Sequence, residues 1–173
     1  MNRTFFCLIA LLLPALLMTG CGESLPAGMP RLYSASILVT QEGEPLAGAL
    51  VMLLAEDEDL TQWGPGGVTD ASGVAQLQTN GRYKGAPLGT YKVAVTKRET
   101  EPHPNPEWAN LPDGDPNFRR FVEIGNRLRT YDYIETQYGS IIDTPLRVEI
   151  TARQRAHTVD VGRKIATEAQ IQR

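Results

Sequence analysis

Few residues in this chain combine side-chain chemistry with suggestive spacing, and Cys21 is the first of them. It follows Leu17-Met18-Thr19-Gly20, just after the uncharged apolar run Phe5 to Met18, which itself follows Arg3. The only other cysteine is Cys7, so a Cys-based zinc site or an iron–sulfur cluster lacks ligands. There are two histidines, His103 and His157. A Ser–His–Asp constellation would need one of them beside a nucleophilic serine. His157 reads as an exposed strand position, and His103, within Pro-His-Pro-Asn-Pro, has no second histidine near it in sequence. Asp113-Gly114-Asp115 has the look of a calcium loop, but the twelfth position counted from Asp113 is Ile124, not the required bidentate acid. Glu56-Asp57-Glu58-Asp59 reads as a solvated loop. Acids are plentiful, and no pair is singled out for glycoside hydrolysis. Aromatics are the better binding signal. Trp63 and Trp108 fall in predicted loops, and Tyr131, Tyr133 and Tyr138 enrich one stretch. Trp63, Trp108, Tyr131 and Tyr133 are candidate contacts for a sugar ring or a protein partner. The plainer alternative is that both tryptophans cap a core.

The first twenty residues have the three parts of an export signal: Arg3, the apolar run, and small Thr19 and Gly20. The fourteen-residue run from Phe5 to Met18 is shorter than the ~17–25 residues a membrane-spanning helix needs. Pro14 would also kink such a helix. Leu17 to Cys21 resembles the lipobox of bacterial lipoproteins. The resemblance implies cleavage before Cys21 and attachment of lipid to its sulfur. A single acyl chain gives marginal membrane residence, whereas several anchor a protein firmly. Gly22, rather than Asp, follows the cysteine. By the same resemblance the expected location is the cell envelope, with the outer membrane favoured if the envelope is Gram-negative.

Removing residues 1–20 from the 173-residue chain leaves 153 residues, one domain by size. Arg3 is the only charge removed, so the net charge goes from −3 to −4. That balance offers no basic face for nucleic acid. A mature chain with Cys21 as its one cysteine, already carrying lipid, has no disulfide and no thiol for catalysis. Its stability must come from an apolar core.

The elements that would position these residues are strands. Residues 21–31 read as a tether containing Gly, Ser and Pro. Tyr33, Ala35, Ile37 and Val39 alternate with Ser34, Ser36, Leu38 and Thr40, the period of a sheet. Glu42 to Pro45 reads as a turn, and Ala47 to Ala55 as a buried strand. Asp70 to Gly73 and Asn80-Gly81 read as turns. Val74 to Thr79 and Thr90 to Thr96 read as strands. Trp63-Gly64-Pro65-Gly66-Gly67 is not a phosphate loop, because no Gly-Lys-Ser/Thr follows it. No cofactor is called for. Residues 97–117 hold Pro102, Pro104, Pro106, Pro112 and Pro116, a density that disfavours helix and ladder alike. Phe118, Phe121, Val122 and Leu128 line one side of a candidate short helix, weakened by Gly125. Thr144 to Ile150 and Ala156 to Val161 are expected to form a closing hairpin. Residues 163–173 read as a polar, frayed tail.

About seven short strands with turns between them predict an all-β, antiparallel β-sandwich over residues 32–162, carrying a long Pro-rich insert at 97–135. Four segments resemble carboxypeptidase regulatory-like domains: Gly43 to Val51 ("G-x-P-L-x-G-A-x-V"), Thr69 to Gly73 ("T-D-x-x-G"), Gly85 to Val93 ("G-A-P-x-G-x-Y-x-V") and Thr144 to Ile150. The resemblance implies a transthyretin-like (prealbumin-like) sandwich, non-catalytic in its best-known settings. The expected function is therefore a lipid-anchored, non-enzymatic binding or structural module of the envelope. A carbohydrate-binding module of a surface complex is the alternative, with a hydrolase behind both.

Overall fold

The structure, a computed structural model, describes residues 25–168. The expected signal segment and Cys21 lie outside the described residues. Among these, thirteen strands and two α-helices follow in the order β1 (Ser36–Gln41), β2 (Glu44–Pro45), β3 (Leu50–Ala55), β4 (Pro65–Val68), β5 (Val74–Gln76), β6 (Gln78–Thr79), β7 (Tyr83–Lys84), β8 (Gly89–Thr96), β9 (Arg98–Thr100), α1 (Pro116–Gly125), β10 (Thr130–Asp132), α2 (Thr136–Gly139), β11 (Arg147–Ile150), β12 (Ala156–Asp160) and β13 (Thr167–Glu168). The fold is all-β and sandwich-like.

One sheet has the order β12-β1-β2, with β5 also paired to β1. The second runs β11-β8-β3-β4-β6-β7. Their inner faces meet in one core. Ile37 and Val39 of β1, Val51 and Leu53 of β3, Tyr91, Val93 and Val95 of β8, and Val148 and Ile150 of β11 are all buried there. Each such aliphatic side chain contributes roughly 1.5–3 kcal/mol by leaving water. Alternation explains which residues enter. In β1 every second residue is buried, and in β3 Val51, Leu53 and Ala55 point inward while Leu50 and Met52 face out. The stretch expected to be a buried strand is therefore covered on one side. Ala94 is the exception on the outer side of β8, being fully buried; α2 packs against the same strand.

Turn chemistry follows the sequence closely. Asp70 Oδ1 accepts from the backbone N–H of Ser72 and Val74 at 2.8 and 3.0 Å and from the Ser72 hydroxyl at 2.6 Å. Gly73 takes φ +78° in that turn, where a side chain would be strained. Asn80 and Gly81 both have positive φ, as a tight hairpin requires.

Four expectations need correction. The closing hairpin does not form: β11 joins β8, and β12 runs parallel to β1, pairing Ser36 with Ala156 and Thr40 with Asp160. The remaining strand pairs are antiparallel. Glu44–Pro45, read as part of a turn, pairs with β1 as β2. The Pro-rich segment is not free of ladder pairing, because β9 precedes its first proline and joins β10. The polar tail is not wholly frayed either: Thr167 and Glu168 pair with Asp132 and Tyr131. Both late misreadings concern polar strands, which carry no apolar period.

The insert itself is a lobe. Asp115 caps α1 by accepting from Asn117 N at 2.7 Å, with Pro116 in the first turn. Asp113-Gly114-Asp115 is thus the lead-in to a helix. α1 ends at Gly125 and packs on a 3-10 turn, Pro106–Asn110, that contains Trp108.

Candidate functional site

β9, β10 and β13 form a third, three-stranded sheet. Its register pairs Thr130 with Thr100, Tyr131 with Glu99 and Asp132 with Arg98. Side chains alternate across a strand, so the two faces differ. One carries the Thr100–Thr130 hydroxyl pair at 2.9 Å and the Arg98–Asp132 ion pair at 2.6 Å. The other carries Glu99, Tyr131 and their neighbours two residues on, Glu101 and Tyr133.

On that second face the Tyr131 hydroxyl donates to Glu101 Oε1 at 3.2 Å, tying one ring at its tip to a carboxylate. Glu101 Oε2 also accepts from Arg129 N at 3.1 Å. Lys97 Nζ sits 3.3 Å from Glu99 Oε1 and 5.8 Å from the centre of the Tyr133 ring. The Tyr133 carbonyl accepts from Gln41 Nε2 at 2.9 Å, which locks the strand end to β1. Burial pushes the Tyr133 hydroxyl above the usual tyrosine value, and the Glu99 charge adds to the shift. The Tyr131 hydroxyl holds the Arg129 guanidinium in its charged form by a hydrogen bond.

Beside Tyr133 lies a cleft of about 480 Å³, lined by Gln41, Glu42, Glu44, Lys97, Glu99 and Lys164 among others. Carboxylates that accept, ammonium groups that donate and an aromatic ring suit a polyhydroxylated ligand.

The four sequence-predicted contacts are divided. Tyr131 and Tyr133 come together on one face. Trp63 lies half-buried between β3 and β4, and Trp108 lies half-buried in the insert lobe. Tyr138 packs against the core, with its hydroxyl 3.2 Å from where a Cβ on Gly162 would stand. Lys97, Glu99, Glu101 and Arg129 were missed. Only 129–133 carries a signal, the alternation of Tyr131 and Tyr133 with polar residues; 97–101 is polar throughout and offers no period to read.

The histidines take structural positions. His103 packs on Phe121 with ring centres 4.1 Å apart and planes tilted by 39°, and its Nδ1 accepts from Asn105 N at 3.0 Å. Nε2, 3.1 Å from the Phe121 carbonyl, is then the protonated nitrogen. His157 is not an exposed position as expected. It pairs with Ile37, is half-buried, and its Nε2 is buried without a hydrogen-bond partner.

The carboxyls Asp70, Glu135 and Asp160 are all held below their ordinary values, each chiefly by a side-chain hydrogen bond, from Ser72, Arg163 and Thr40 respectively. A general acid needs the opposite shift. Among the described residues no group of three or more His, Cys, Asp or Glu is placed to hold a metal ion. Among them no helix is long and apolar enough to cross a membrane. No protein-family model, curated protein or solved structure matches the chain.

Proposed function

We propose that this chain is a lipid-anchored, non-enzymatic binding module of the cell envelope, tethered through Cys21 and presenting the Tyr131–Tyr133 face to its ligand. The observation that carries the reading is the face on which Tyr131 is bonded to Glu101 and Tyr133 stands by Lys97 in the lining of the 480 Å³ cleft. The resemblance to carboxypeptidase regulatory-like, transthyretin-like domains supports a non-catalytic role. In two of its motifs, Gly43 and Gly73 take the positive φ that such turns use.

A carbohydrate ligand is the second reading, and the same face favours it. Two rings on alternate residues of one strand stand about 7 Å apart, a spacing on which consecutive sugar units can stack. The test is binding of the mature domain to an array of envelope and dietary glycans. Tyr131→Ala and Tyr133→Ala, checked for folding by circular dichroism, should each weaken binding about tenfold. Binding unchanged in both variants rejects the face as the site, and binding to a protein partner but to no glycan selects the first reading. Turnover of a hydrolase substrate panel by the purified domain would overturn the non-enzymatic assignment. For the anchor, Cys21→Ala should move the protein out of the membrane fraction.

A further inference from the structure

On the outer face of the second sheet, away from the tyrosine face, lies an apolar trough of about 680 Å³. This falls within the roughly 300–1,000 Å³ of small-ligand sites. Its wall is Leu50, Met52 and Val68, which remain 41, 41 and 61% exposed. Leu50 stands opposite Val68 across the β3–β4 pair, and Met52 stands opposite Gly66. The floor carries no side chain at Gly66, where a Cβ would stand 2.8 Å from the Val51 carbonyl oxygen. Asp70 is the one charged residue in the lining, and its carboxylate is engaged by its own turn. The occupant such a trough fits is slender, aliphatic and uncharged.

The path of the chain says which one. The N-terminal segment joins the body at Tyr33, whose backbone exchanges hydrogen bonds with Ala86. The adjacent Gly85 bridges Gln78, and Gln78 lines the trough. Residues 25–33 are in place, with a turn closed by Met29 N on the Pro26 carbonyl, and Cys21 is four residues before Leu25, within about 13 Å of it. Resting on the anchoring proposal above, we infer that the trough shelters an acyl chain carried by Cys21 of the same molecule when the protein is away from a bilayer. Acyl methylenes are unfavourable in water, and Leu50, Met52 and Val68 are the exposed apolar surface that relieves this.

The experiment uses the full chain, expressed in bacteria fed a diazirine-bearing fatty acid. The lipidated protein is purified, diluted below the detergent's critical micelle concentration and irradiated. Mass spectrometry should place acyl label on Cys21 and a cross-link within residues 50–52 or 64–68 of the same molecule. The double variant Met52→Asp/Val68→Asp, altered only at exposed positions, should keep the Cys21 label and lose the cross-link about tenfold. Label on Cys21 with cross-links elsewhere, or precipitation on dilution without a cross-link, overturns the sheltering role and leaves the anchor standing. No label on Cys21 overturns both. A trough cross-link to a diazirine phospholipid added to Cys21→Ala protein, with none from the attached chain, would make the occupant a free lipid and overturn the commitment to the anchor.

Discussion

Thr40 and Asp160 stand directly opposite one another across the parallel β1–β12 pair, and the Thr40 hydroxyl donates to Asp160 Oδ2 at 2.7 Å. Asp160 also accepts from the backbone N–H of Gly162 at 2.8 Å and of Gly43 at 3.2 Å. One carboxylate thus fastens the last long strand to the first and to the turn that follows it.

Asp160 carries the first prediction. Its pKa is lowered, mainly by the Thr40 hydrogen bond, so the folded state favours the ionised form. The stabilisation is present above the unfolded carboxyl value near ~4 and is lost as pH falls through the folded value. Asp160→Ala should cost about 1 kcal/mol at neutral pH, at the modest end because the group is exposed. Chemical denaturation against pH checks this: the gap between wild type and variant should close in acid and persist at pH 7.

Tyr91 gives the opposite pH dependence. Burial, with a smaller contribution from the Asp57 charge, pushes its hydroxyl up to about 12, and that hydroxyl donates to the Pro87 carbonyl at 2.9 Å. A raised folded value means its stabilisation is present below the unfolded value near ~10 and is lost as pH climbs through the folded one. Tyr91→Phe should cost about 1 kcal/mol at pH 7 and flatten the alkaline limb of the stability curve. An unchanged alkaline limb would remove Tyr91 as its cause.

Two glycines separate steric from conformational demand. A Cβ on Gly85 would lie 2.5 Å from the Tyr33 carbonyl oxygen, in a residue with φ +101°. Gly43 has φ +84° but open space around its Cα. Gly85→Ala should cost about 3 kcal/mol or more, and Gly43→Ala about 1 kcal/mol. Urea midpoints of the two variants test the ranking.

The insert lobe has its own fastening in His103. The neutral ring with Nε2 protonated satisfies both the Asn105 N–H and the Phe121 carbonyl, whereas an imidazolium cannot accept from Asn105. His103→Ala should loosen the lobe without unfolding the sandwich. The expected record is faster amide exchange at Asn105 and a shifted Trp108 emission, with exchange in β1 and β8 unchanged.

Much of the sandwich was legible because its inner strands alternate apolar and polar residues, as Ile37, Val39, Tyr91, Val93 and Val95 do. Asp70 and Asn80-Gly81 announced their turns by chemistry that acts within a few residues. The partner of a strand is a different kind of information. β11 and β12 look like a hairpin because each alternates and a turn lies between them. In the structure Thr151 N donates to the Gln154 carbonyl at 2.9 Å, and the chain crosses from one sheet to the other there. Nothing local in Ala156 to Asp160 points to Ser36 to Thr40. The tyrosine face was half legible for a related reason. Tyr131 and Tyr133 stand out by type, but Glu99 sits on β9, a strand with all three residues exposed, and Glu101 follows just beyond its end.

β1 has a mechanical consequence. It is bonded to β12 on one side and to β5 and β2 on the other, and the N-terminal segment runs directly into it. A pull directed along the axis of β1 would load the ladder bonds on both flanks at once instead of opening them in succession. The first resistance is the Tyr33–Ala86 bridge, and behind it stands the full length of β1. Under the proposed anchor at Cys21, a load taken in that direction would be borne in shear, the stronger direction of a ladder.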